Sequence, residues 1–225
     1  MKKSTFDINP ELIVIEGSNV RINFDVTTEN VPVSNMNGEE SEETREVFKA
    51  YVVRFPLPFD IDAIQKAVME NGFGEREARV VAAEVILKAI QDQLMPGNEL
   101  DAAKELKTAI INAYDKSSNV DNFTLDDNNM WLDREMRRTL RERFTREENK
   151  GLETTRLTYA NVTFTLPLTL AHHMIDALED YATDCFDKTQ EHLQAVAQMN
   201  SVADILNYDH TADYPPCPAF TTPAE

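Results

Sequence analysis

One six-residue pattern, Phe-x-Leu-Pro-apolar-Asp/Thr, occurs twice. It reads Phe55-Pro56-Leu57-Pro58-Phe59-Asp60 and Phe164-Thr165-Leu166-Pro167-Leu168-Thr169. Proline has no amide to donate and a fixed φ, so it closes a strand rather than sitting inside one. The residue before it is driven to extended geometry. Asp60 and Thr169 are residue types whose side-chain oxygen takes an orphan amide of a first helical turn. Each copy therefore predicts a strand delivered into a helix, 47–55 into 61–71 and 154–166 into 170–185. The two strands are expected to be sheet neighbours, with Pro58 and Pro167 at matching ends. The match reads either as a duplicated strand–helix unit or as one turn solution reached twice.

Around these copies the chain alternates strand and helix signals. Residues 1–10 read as an unstructured lead. Residues 12–15 are a short apolar run, and Glu16-Gly17-Ser18-Asn19 is turn chemistry. Residues 20–26 then alternate at period two and predict a buried face of Val20, Ile22, Phe24 and Val26. Residues 28–46, with Glu39-Glu40-Ser41-Glu42-Glu43, read as an exposed acidic loop. Helical patterns cover 75–95, 99–114 (capped by Asn98), 126–148 and 170–199, the last with an expected break at Asp187-Lys188-Thr189. Ser201 can cap a short helix ending near Tyr208. Residues 211–225 are proline-rich and read as extended.

The fold class expected is α+β. An antiparallel sheet of about four strands (12–15, 20–27, 47–55 and 154–166) packs against a helical layer, with extended N- and C-terminal arms. The expected division is 1–46 as hairpin plus acidic loop, 47–208 as the α+β core, and 209–225 as tail.

Charge narrows the function. Lys and Arg number 22 against 40 Asp and Glu, a net charge of -18. A phosphate-binding surface needs a basic footprint, so non-specific nucleic-acid binding is not expected. A soluble chain is expected, since the N-terminal residues lack a signal-peptide apolar run and nothing approaches a membrane span. Cys185 and Cys217 do not make a disulfide framework or a zinc site, and a bond between them stays open.

Two polar sets stand out. His172 and Asp176, at i,i+4, can share a metal on one helix face, but the spacing suits a solvated or capping role better. Arg134, Arg137, Arg138 and Arg141 follow i, i+3, i+4, i+7 and form one face. They suit either docking of an acidic surface or intrahelical pairing with Glu135, Glu142 and Glu147. Gly-rich phosphate loops, nucleophile elbows, C-x-x-C pairs and calcium loops are absent from the sequence. No cofactor, metal or enzymatic activity is therefore expected.

One segment carries a family likeness. Asp184-Cys185-Phe186-Asp187-Lys188-Thr189-Gln190-Glu191-His192, followed by Val202-Ala203-Asp204-Ile205-Leu206-Asn207-Tyr208-Asp209-His210-Thr211-Ala212-Asp213-Tyr214-Pro215, resembles the C-terminal end of uncharacterised phage and prophage proteins of gut Bacteroidetes. The resemblance implies a virion or virion-assembly setting, and with neither a signal peptide nor a membrane span expected, synthesis is expected in host cytoplasm. It implies no catalytic residue. The expected function is a non-enzymatic structural or assembly protein that meets other subunits, as a homo-oligomer or among virion neighbours. Its interface candidates are Arg134, Arg137, Arg138, Arg141, Tyr208 and Tyr214. The alternatives are an acidic intracellular binding or regulatory module and a metal-dependent enzyme centred on the last helix.

Overall fold

Alternation from Val20 to Phe24 builds the sheet of the first of two units. The computed structural model describes residues 3–16, 19–34, 40–56 and 60–223. It divides into Met1–Ile110 with Met199–Asn207, and Ile111–Gln198 with Tyr208–Glu225.

In the first unit β1 (Ser4–Phe6), β2 (Ile13–Glu16), β3 (Asn19–Ser34) and β4 (Glu40–Pro56) form an antiparallel sheet of order β1-β4-β3-β2. The α+β class and the four-stranded antiparallel sheet are thus present, with a different membership. The N-terminal lead supplies β1, where Ser4 pairs with Ala50 and Phe6 with Phe48. Lys3 clamps it to Asp25 at 2.7 Å.

Val20, Ile22 and Phe24 are buried as expected, but Val26 is 39% exposed. Asp25 adopts a left-handed φ of 52°, and the register with β4 shifts between Phe24 and Thr27. Such a bulge flips the face on which the following side chains stand. Beyond it β3 and β4 stay paired from Thr27↔Lys49 to Ser34↔Glu40. Most of 28–46 is therefore strand rather than loop, while residues 35–39 lie outside the described residues. Residues 25–30 and 44–46 are exposed, and a ribbon wetted on both faces needs no apolar alternation. Position 46, the expected boundary, falls inside β4.

Three helices follow. In α1 (Ile61–Met69) the Asp60 carboxylate caps the first turn, accepting from the Ala63 amide at 2.7 Å. Pro58 lies outside the described residues. α2 (Glu75–Gln91) presents Ala78, Ala82, Val85 and Ala89 to the core. These small side chains let it approach Ile64 and Val68 of α1 and Ile13, Val20, Ile22 and Val53 of the sheet. α3 (Glu99–Tyr114) begins as expected, with Leu100 donating to the Asn98 side chain at 2.9 Å.

The second unit starts with a hairpin that the sequence reading missed, β5 (Phe123–Leu125) and β6 (Asn128–Met130). Its turn residues Asp126 and Asp127 have φ of 47° and 61°, the geometry of a tight hairpin turn that Asp tolerates. They do not start a helix. α4 (Arg134–Glu148) begins later, capped by Asp133, which accepts from the Met136 amide at 2.6 Å.

The expected strand 154–166 is a hairpin, β7 (Thr154–Tyr159) and β8 (Val162–Pro167), turned at Ala160 with φ 49°. β8 pairs with β7 alone. It is not a neighbour of β4, so the two pattern copies end strands of different sheets. α5 (Leu168–Gln198) starts one residue before Thr169, which is not a cap, and runs through Asp187-Lys188-Thr189 without a break. Its 31 residues span about 46 Å at 1.5 Å per residue. The Thr189 hydroxyl lies 3.0 Å from the Cys185 carbonyl one turn back and 2.7 Å from Asp115 Oδ1, so its one proton is shared between them, with the shorter contact to the carboxylate. α6 (Val202–Asn207) returns to the first unit, where Lys107 donates to the Leu206 carbonyl at 2.9 Å.

The tail is extended but not detached. β9 (Ala219–Phe220) pairs in parallel with β5, and Phe220 enters the core of Phe123, Leu125, Phe144, Leu166 and Met174. The Thr222 amide and hydroxyl then meet the Asp126 carboxylate at 2.7 and 2.8 Å. No helix among the described residues is long and apolar enough to cross a membrane.

Candidate functional site

The second unit contains an open cleft of about 600 Å3. One wall comes from the end of β6 and the start of α4 (Trp131, Leu132, Asp133, Arg134 and Arg137). The other comes from α5 (Leu178, Glu179, Tyr181, Ala182, Cys185 and Phe186), and residues 115–123 complete it. Trp131 is 48% exposed and Phe186 57% exposed. Two large, half-exposed rings at one concavity form an apolar surface of the kind that marks a contact site.

The arginine row splits at this cleft. Arg137 lies against α5: its Nε donates to Glu179 Oε1 at 2.9 Å and a terminal nitrogen donates to the Leu132 carbonyl at 2.7 Å. Arg138 pairs along its own helix with Glu142 at 3.4 Å, and Arg141 pairs with Asp176 of α5 at 2.8 Å. Arg134 lines the cleft and makes no ion pair among the described residues. Of the expected face, then, one arginine is available and three are engaged within the unit. Asp115 and Lys116, also at the cleft, pair with each other at 2.5 Å.

No protein-family model, curated protein or solved structure matches the chain. Its function must therefore be argued from its own residues.

Tyr208 and Tyr214 are turned inward. Tyr214 Oη lies 2.8 Å from the Thr189 hydroxyl, which in turn lies 2.7 Å from Asp115 Oδ1. Asp115, Thr189 and His192 are all buried. His192 Nε2 lies 3.0 Å from the Ala212 carbonyl, and its Nδ1 lies 2.7 Å from Tyr208 Oη. A carbonyl only accepts, so Nε2 carries the proton, and in the neutral ring Nδ1 accepts from Tyr208. The His192 ring stacks on Tyr214 at 5.4 Å, and Tyr114 meets Tyr214 edge-on at 5.4 Å. Asp209 turns the chain between them, accepting from the Thr211 amide and hydroxyl at 2.9 and 2.7 Å. These bonds hold the Asp209 carboxyl below its usual range. The Tyr-Asp-x-Thr-x-x-Tyr segment is thus a clasp onto α5, and its tyrosines are engaged within the chain rather than displayed.

The metal candidates face different neighbours, and His172 Nε2 is buried without a hydrogen-bond partner. The His172 ring packs edge-on against Phe144 at 5.9 Å, with Nε2 3.5 Å from Glu148. Asp176 faces Arg141. Among the described residues no group of three or more His, Cys, Asp or Glu is placed to hold a metal.

Sequence reading missed Trp131 and Phe186. Trp131 is the only tryptophan. It precedes the Asp133 cap, where period counting assigns it to a helix. Phe186 follows Cys185 on the helix and falls off the apolar stripe, a position that marks it as outward-facing.

Proposed function

We propose that this chain is a non-enzymatic structural or assembly protein, working through protein–protein contacts in a virion or its assembly. The cleft of the second unit is its contact point. One observation carries the reading: Trp131, Phe186 and the uncommitted Arg134 share a single concavity. Tryptophan and arginine are over-represented among residues that dominate interface energies, and such residues sit in pockets that dry on binding. The fitting partner is another subunit that offers an apolar side chain next to a carboxylate. A chain with 40 acidic residues supplies such surfaces in every copy. The C-terminal resemblance supports the virion setting.

Light scattering on the full-length chain across a range of concentrations tests this. Assembly beyond the monomer, lost in a Trp131→Ala/Phe186→Ala double variant that keeps its Tm, is the expected result. A chain that stays monomeric throughout, and that fails to co-assemble with other particle proteins, overturns it.

The net charge favours a second reading, an acidic module that binds a basic host protein. A stoichiometric, salt-sensitive host partner unaffected by the double variant would support that reading instead.

A further inference from the structure

The chain's two cysteines, 32 positions apart in sequence, are both neighbours of Tyr181, one along α5 and one from the tail. Tyr181 donates to the Val120 carbonyl at 2.7 Å, and its oxygen lies 3.5 Å from the Cys217 sulfur. Cys185 follows Tyr181 by one turn of α5, on the same face, and both line the cleft. Cys185 is buried and Cys217 exposed. The Cys217 sulfur is held in place, 3.5 Å from the Asn119 carbonyl, between the Tyr214 and Phe220 anchors of the tail.

We propose that Cys185 and Cys217 form a thiol–disulfide clasp that locks the tail covalently to α5 on reaction with a small-molecule disulfide. This is independent of the assembly reading. Cys217, the accessible partner, reacts first. Its thiolate attacks one reagent sulfur, one reagent thiol leaves, and the other half stays on Cys217 as a mixed disulfide. Cys185 then gives up its proton and attacks the Cys217 sulfur, and the second reagent thiol leaves. Two cysteine thiols are oxidised and one reagent disulfide is reduced to two thiols, which take up the two cysteine protons.

The second step sets the pace. Burial pushes the Cys185 thiol up to about 11; Tyr181 works against this, while the nearby Asp115 charge adds to it. Little thiolate is present at neutral pH, so closure accelerates about tenfold per pH unit from about pH 7 to about pH 9.

Oxidised glutathione added to the reduced full-length chain tests the proposal by mass spectrometry without reductant. The expected product is a single chain two hydrogens lighter than the reduced form. It retains no glutathione, yields a Cys185–Cys217 cross-linked peptide, and has a Tm raised by several degrees. Cys185→Ser is expected to retain one glutathione on Cys217, and Cys217→Ser to stay unmodified over the same period. A mixed disulfide that persists on the unsubstituted chain at the higher pH, or a Cys217-linked dimer as the main product, overturns it.

Discussion

The Thr189 hydroxyl lies 2.7 Å from Asp115 Oδ1 across 74 residues of sequence, with both groups buried. Thr189 passes on what it receives, since Tyr214 Oη stands 2.8 Å from the same oxygen. A single hydroxyl thus serves the end of α3, the middle of α5 and the tail. Thr189→Val keeps the shape and removes that link. It leaves a buried carboxylate and a tyrosine hydroxyl short of a partner, which costs about 1–3 kcal/mol. Urea unfolding should show this loss, and Thr189→Ser should recover most of it. A Val variant as stable as the parent would mean that Lys116 alone satisfies Asp115.

Phe220 is the other tail anchor. Its ring meets Phe123 edge-on at 6.1 Å, inside a core otherwise built from β5–β8, α4 and α5. Phe220→Ala should destabilise the protein by about 3 kcal/mol, the ordinary cost of emptying a phenylalanine site. Limited proteolysis should cut residues 215–223 far faster in the variant, while the clasp from Tyr208 to Tyr214 slows cleavage upstream. Equal cleavage of parent and variant would show that the tail is held without the Phe220 contact.

The sequence carried local rules well and pairings poorly. Asp60 and Asn98 cap helices where their side-chain chemistry says they should. Val20, Ile22 and Phe24 are buried because their alternation is real. Val26 breaks the pattern through a bulge at Asp25, which alternation cannot reveal. The hairpin of residues 123–130 was hidden by two aspartates that suit a helix start and a left-handed turn equally. The arginine row lay on one helix as its spacing required, but its partners Glu179 and Asp176 come from a helix about forty positions away. The cleft combines residues from 115 to 186, so no local window contains it. Tyr208 and Tyr214 were found as a motif, and only the fold turns them inward.

Arg134 and Arg137 sit three positions apart and should behave oppositely. Arg137 bridges Glu179 and the Leu132 carbonyl with a side chain only 14% exposed. Arg137→Ala should cost about 1–3 kcal/mol in chemical unfolding, because charged hydrogen bonds are lost. Arg134→Ala should leave stability within about 0.5 kcal/mol and weaken association with an acidic partner subunit, more so at low salt. If Arg134→Ala leaves sedimentation or light scattering of the assembled form unchanged, the cleft arginine has no part in the contact.

Alkaline stability should depend on Cys185. Its thiol is pushed from 9.0 up to about 11 by burial, and Tyr181 beside it is raised as well, again chiefly by burial. A folded pKa above the unfolded one means that the folded chain keeps a proton which the unfolded chain gives up. Stability is unaffected below the unfolded pKa and falls as pH rises from about 9 towards 11. A tenfold difference in acidity between the two states corresponds to about 1.4 kcal/mol, and solvent at the cleft limits the whole loss to about 1–2 kcal/mol. Cys185→Ala should flatten this decline in urea midpoints measured under reducing conditions, with a smaller slope left from Tyr181. Cys217→Ala, which removes an exposed thiol, should keep most of the slope of the parent and lose only the part that Cys217 adds through its neighbours Tyr181 and Cys185. Parallel slopes for the parent and Cys185→Ala would show that the buried thiol ionises in the folded chain as readily as in the unfolded one.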